Sequence, residues 1–104
     1  MPELSIATLS NLQIYVYELE KERGFKKETI LQKCLLLGEE VGELFKAIRK
    51  TEKIGIDNNS QVFNIEEELA DILIYLCAIA NRCNIDIEKV FRAKEEINKK
   101  RKWQ

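Results

Sequence analysis

An all-α fold follows from three observations on this chain of 104 residues. It has one proline, at position 2. Its long segments repeat apolar residues at helical spacing, and the alternating apolar and polar pattern that marks strands is nearly absent. With mostly short turns between the helices, the expected architecture is a four-helix bundle.

The first helix is predicted from Thr8 to Arg23, with Leu9, Leu12, Val16 and Leu19 on one face and Gly24 as its C-terminal stop. The second runs from about Glu28 to Lys50. Its stripe of Ile30, Cys34, Leu37, Val41, Leu44 and Ile48 is expected to be the core face, and Leu31, Leu35, Leu36 and Phe45 widen it toward further neighbours. Thr51 to Phe63, with Gly55 and Asp57-Asn58-Asn59-Ser60, reads as a connection. The third helix opens on a capping signal, Asn64 with Glu67 three residues on, and ends near Arg82. Its second half, Ile72 to Ala80, is apolar all round, as suits a central helix or one in a subunit interface. Asn84 is suited to a left-handed terminator and Asp86 to an N-cap for a fourth helix from Ile87 to the C-terminus.

This length gives a single domain, residues 1–104, whose modest core a partner subunit would complete. Charged residues are 34% of the chain and leave a net charge of −1, so bulk electrostatics propose neither nucleic acid nor a membrane surface. Lys99, Lys100, Arg101 and Lys102 concentrate positive charge where phosphate could be met. Cys34, Cys77 and Cys83 lack Cys-x-x-Cys spacing, and there is no histidine. Cys/His zinc and a disulfide framework are both disfavoured. The first twenty residues lack the pattern of a signal peptide, and the longest apolar stretch is too short for a bilayer, so a cytoplasmic, reduced protein is expected.

Two acidic clusters stand out inside apolar helices: Glu39-Glu40-x-x-Glu43 and Glu68-x-x-Asp71. Acids three or four residues apart share a helix face and repel, by roughly 0.2–0.5 kcal/mol per pair, unless a cation intervenes. At about 100° per residue, Glu40 borders the second helix's stripe, Glu43 lies farther round and Glu39 farthest. Glu68 and Asp71 stand similarly beside Ile65, Leu69, Ile72, Leu76 and Ala80. If the two helices pack side by side, Glu40, Glu43, Glu68 and Asp71 converge as hard oxygen ligands suited to Mg²⁺ or Mn²⁺. Excess negative charge at such a site points to phosphate chemistry, with Glu39 left to orient or deprotonate water. Each cluster alone is more often a solvated helix face; two on neighbouring apolar helices, with Asp71 directly before nine apolar residues, tip the balance toward metal. In the fourth helix, Lys94, Asn98 and Arg101 continue the stripe of Ile87, Val90, Phe91 and Ile97. Beside an acidic metal site, Lys94 and Arg101 suit phosphate oxygens and Asn98 a hydrogen bond; in isolation they would be read as snorkelling or paired groups. Trp103 is placed either to stack on a base or to close the core.

The series Glu39-Glu40-x-x-Glu43, Glu68-Leu69-Ala70-Asp71-Ile72-Leu73-Ile74-Tyr75-Leu76, Cys83-Asn84-Ile85-Asp86-Ile87 and Lys94-x-x-x-Asn98-x-x-Arg101 resembles the MazG-type nucleotide pyrophosphohydrolases of the all-α NTP pyrophosphatase superfamily. The likeness extends to the opening helix, with Leu12-Gln13 and Arg23-Gly24. The resemblance implies Mg²⁺-dependent hydrolysis of a nucleoside triphosphate between its α and β phosphates. It also implies Glu40, Glu43, Glu68 and Asp71 as metal ligands, Lys94, Asn98 and Arg101 as substrate contacts, and a homodimer or homotetramer that completes the bundle. House-cleaning of deoxynucleoside or noncanonical triphosphates is the expectation. Phosphoribosyl-ATP hydrolysis and a non-catalytic helical dimerisation module are the alternatives.

Overall fold

The computed structural model describes residues 8–24, 27–52 and 65–101. They form four helices: α1 (Leu9–Arg23), α2 (Ile30–Glu52), α3 (Ile65–Arg82) and α4 (Ile87–Lys99). No strand occurs among the described residues. None of their helices is long and apolar enough to cross a membrane. The connection after Glu52, the expected cap Asn64, and Trp103 lie outside the described residues.

Helix ends follow local chemistry. The Thr8 side chain accepts a hydrogen bond from the Asn11 N–H at 3.1 Å and caps α1. Gly24 ends α1 at φ +78°, a left-handed conformation that glycine adopts without a Cβ penalty. Thr29 and Gln32 make a reciprocal capping box at the start of α2: Gln32 N–H donates to Thr29 Oγ1 at 3.1 Å, and Thr29 N–H to Gln32 Oε1 at 2.7 Å. Asn84 turns the chain out of α3 at φ +56°, and Asp86 caps α4 through the Lys89 N–H. Helix α4 stops at Lys99 instead of continuing to the C-terminus.

Helices α2 and α3 form the most extensive packing pair, and their facing residues give the direction. Arg82 Nε donates to the Glu28 carbonyl at 2.7 Å, Lys33 Nζ lies 5.6 Å from the centre of the Tyr75 ring, and Glu40 meets Glu68. Numbers rise on one helix as they fall on the other, so the pair is antiparallel. Helix α1 lies across α3, with Val16, Cys77 and Ala78 buried between them and Leu12 and Ile87 packed on that core. A polar knot ties α1 to the α3–α4 turn. Gln13 Nε2 donates to Asn81 Oδ1 at 2.9 Å and to the Ile85 carbonyl, Asn81 Nδ2 donates back to the Gln13 carbonyl at 3.1 Å, and Ile87 N–H donates to Gln13 Oε1 at 2.9 Å. Four well-directed bonds make burial of this glutamine affordable.

The core is smaller than the apolar stripes suggest. On α2 the buried residues are Lys33 and Ala47, whereas Cys34 is exposed and Ile30 and Ile48 are each 42% exposed. That corrects the expected core face of α2 at Ile30, Cys34 and Ile48, while Leu37, Val41 and Leu44 of the same stripe are half-buried. Val90, Phe91 and Ile97 of α4 are likewise exposed, because α4 packs at its start against α1 and leaves its stripe bare. The four helices of one chain therefore leave continuous apolar faces on α2, α3 and α4.

Candidate metal centre

The antiparallel pairing of α2 and α3 brings acids from both helices to one place. Glu40, Glu68 and Asp71 each offer a carboxylate oxygen, and these three oxygens lie within 4.8 Å of one another. Asp71 follows Glu68 by one helical turn, which puts both on the α3 face toward α2. Glu43 is exposed and stands outside this group, and Glu39 is exposed on the preceding position of α2. Of the four acids expected to converge, the single chain gathers three.

Two consequences of crowding are visible. The Glu40 carboxyl is pushed up to about 7, first by the hydrogen bond it shares with Glu68, then by burial and by the charges of Glu68, Asp71 and Glu43. Glu68 Oε2 is buried, and no group of the described residues donates a hydrogen bond to it. Like-charged oxygens at this separation without donors are costly unless they share a proton or bind a cation. The donor set is all hard oxygen, which fits Mg²⁺ or Mn²⁺.

Next to the acids lies a cavity of about 200 Å³ where α1 meets α2 and α3. Asp71 and Tyr75 line it from α3, Lys33 from α2, and Glu20 and Arg23 from α1. Burial raises the Tyr75 hydroxyl first, and the charges of Glu40 and Asp71 raise it further, so the phenol stays protonated beside the carboxylates. Lys33 is 4% exposed and fully partnered by acids: Glu20 Oε2 at 3.2 Å and Glu28 Oε1 at 3.1 Å. Arg82 closes on Glu20 with two bonds of 2.8 Å. These cations hold the Glu20 carboxyl below its ordinary value although burial alone would raise it. The periodicity of the sequence passed over Lys33 and Glu20; the signal available was that Lys33 precedes Glu40 by two turns and Tyr75 follows Asp71 by one.

The predicted phosphate contacts sit elsewhere in the single chain. Lys94 and Arg101 are exposed, and Asn98 is half-buried with its Oδ1 buried and no hydrogen-bond donor to it among the described residues. None of the three lines the cavity beside Asp71 or is among the charges acting on Glu40.

Residues 25–103 match the family described as the MazG nucleotide pyrophosphohydrolase domain. The chain belongs to this family. The crystal structure of iMazG from Vibrio DAT 722 superposes on this MazG domain with a TM-score of 0.63 at 32% identity, covering 89% of this chain and 95% of the other. Human dCTP pyrophosphatase 1 is 46% identical over 37 residues, which are 36% of this chain and 22% of that protein. The rat protein of the same description is 43% identical over a stretch of the same length. The matched stretch thus spans about a fifth of these curated relatives.

Proposed function

We propose that this MazG domain is a Mg²⁺-dependent nucleoside triphosphate pyrophosphohydrolase, releasing a nucleoside monophosphate and pyrophosphate, with Mn²⁺ able to substitute. The observation that carries this reading is the convergence of Glu40, Glu68 and Asp71 with the buried, unsatisfied Glu68 Oε2. These three carboxylates hold the cation, and Glu43, one turn beyond Glu40, supplies a further oxygen. When bound, the cation neutralises phosphate charge and acidifies water at the point of attack. Glu39 orients that water or takes its proton. Lys94 and Arg101 supply positive charge to phosphate oxygens, Asn98 supplies a hydrogen bond, and Trp103 stacks on the base. The domain spans residues 1–104, acts in the cytoplasm on the nucleotide pool, and works as a homodimer or larger homo-oligomer.

The dCTP pyrophosphatases among its relatives put deoxycytidine triphosphate first in the substrate panel. The test is pyrophosphate release from ribo-, deoxyribo- and modified nucleoside triphosphates, with and without Mg²⁺, beside the Glu40→Gln variant. Metal-dependent release that the variant lacks is the expected result. Release that persists in Glu40→Gln, or that ignores the metal, would remove the reading.

A further inference from the structure

The cavity beside Asp71 has cationic groups on its wall, and they differ in what already neutralises them. Lys33 lies between Glu20 and Glu28 at 3.2 and 3.1 Å. Arg82, behind it, grips Glu20 through two 2.8 Å bonds. Moving either cation onto a ligand would strand a buried carboxylate, so neither is available to bind substrate. Arg23 is different. It occupies the last turn of α1, is exposed, and has no acid partner among the described residues. It shares the roughly 200 Å³ cavity with Asp71, one of the three clustered acids. The left-handed turn at Gly24 ends the helix directly after it and fixes where its side chain begins.

On the reading of Glu40, Glu68 and Asp71 as a metal site, we propose that Arg23 is a substrate-binding residue whose guanidinium takes a phosphate oxygen of the nucleotide and, after hydrolysis, of pyrophosphate. A divalent cation leaves about half of the triphosphate charge uncompensated, and among the described residues of the cavity wall Arg23 is the cation without an acid partner to meet it. The planar guanidinium fork matches two phosphate oxygens, which an ammonium does not. Arg23 holds the phosphate before hydrolysis and keeps it in the product, so its loss is read in KM and in pyrophosphate affinity ahead of kcat.

The experiment pairs steady-state kinetics on the best nucleotide with calorimetric titration of Mn²⁺ and then inorganic pyrophosphate into the purified chain. For Arg23→Gln the expected result is a KM and a pyrophosphate dissociation constant each about ten- to a hundredfold higher, the loss of one charge-assisted contact. Its kcat stays within about twofold, and Mn²⁺ affinity and melting temperature match wild type. Arg23→Lys recovers part of the affinity. Wild-type KM and pyrophosphate affinity in Arg23→Gln would overturn the assignment, as would a weakened KM accompanied by an equal loss of melting temperature and Mn²⁺ binding. Failure of the wild-type chain to bind Mn²⁺ would remove the metal-site reading and Arg23 with it. Mn²⁺ binding that Glu68→Gln abolishes, with pyrophosphate affinity indifferent to Arg23→Gln, would remove Arg23 alone.

Discussion

Glu40 and Glu68 face each other across the α2–α3 interface as a carboxyl pair joined by a hydrogen bond of their own, with no donor among the described residues reaching Glu68 Oε2. Glu68 is the largest cause of the rise of the Glu40 carboxyl to about 7, and Glu68 Oε2 is buried. Two antiparallel helices that would pack more favourably with leucines at these positions keep acids instead. The repulsion between them is relieved by a proton at low pH and by a cation at neutral pH.

Replacing one member of the pair should separate folding from function. Glu68→Gln removes one charge and supplies an amide donor to Glu40, so the metal-free chain should melt at the same temperature or slightly higher. The gain is roughly 1 kcal/mol or less, since solvent screens this partly exposed pair. Mn²⁺ affinity and pyrophosphate release should fall below detection. Scanning calorimetry with and without Mn²⁺ reads both effects, and a lower melting temperature in the metal-free variant would contradict them.

The same pair sets a pH dependence of known sign. The folded chain holds the Glu40 proton up to about pH 7, whereas an unfolded chain releases it near the ordinary glutamate value of 4.5. Between those values the folded state binds more protons, so the metal-free stability falls as pH rises through the window. Metal binding must displace that proton, so Mn²⁺ affinity should strengthen as pH rises to about 7 and then level off. Denaturant titrations at a series of pH values, in chelator and in Mn²⁺, should show the two trends crossing; metal-free stability that climbs from pH 5 to 7 would count against the pair.

Glu20 works in the opposite sense. Arg82 and Lys33 hold its carboxyl below 4.5 in the folded chain, so its contribution is full above that value and is lost as pH falls below it. Glu20→Gln leaves the Lys33 and Arg82 charges, with side chains 5% and 13% exposed, short of their common partner. Breaking a buried pair from one side costs about 3–5 kcal/mol. This variant should therefore lose most of the stability of a small domain, readable as a fall in the denaturation midpoint. A change within 1 kcal/mol, on the order of a surface pair, would show that the network is solvated.

The parts of the molecule legible in the sequence are those that local chemistry decides. Gly24, Asn84 and Asp86 end and cap helices where residue type alone says they should, and the spacing within Glu68-x-x-Asp71 places both acids on one face. Periodicity reports which residues share a face without saying whether the covering partner comes from the same chain. Ile30, Cys34 and Ile48 are for that reason expected in a core and found exposed. Lys33 is the converse: a lysine reads as surface until Glu20 and Glu28, one from another helix and one from the turn before its own, bury it. Glu43 stands outside the three grouped oxygens, roughly 60° round α2 from Glu40, yet its charge still acts on Glu40.

The bare faces lead to the last prediction. Leu31, Leu35 and Phe45 of α2 are 68%, 64% and 67% exposed, and Leu69 of α3 is 53% exposed. Contiguous apolar surface of this kind is uncommon on a lone soluble domain and marks an interface. A second copy of the chain offers the same face and can pair with it isologously. Sedimentation equilibrium should then return at least twice the mass of 12.2 kDa. Leu35→Lys together with Phe45→Lys should shift the chain toward monomer while leaving Glu40, Glu68 and Asp71 in place. If the partner also supplies the cations that α4 keeps away from the acids in one chain, pyrophosphate release should fall with dissociation while Mn²⁺ affinity stays within about an order of magnitude. A wild-type monomer with full activity at all concentrations would show that these faces serve another purpose.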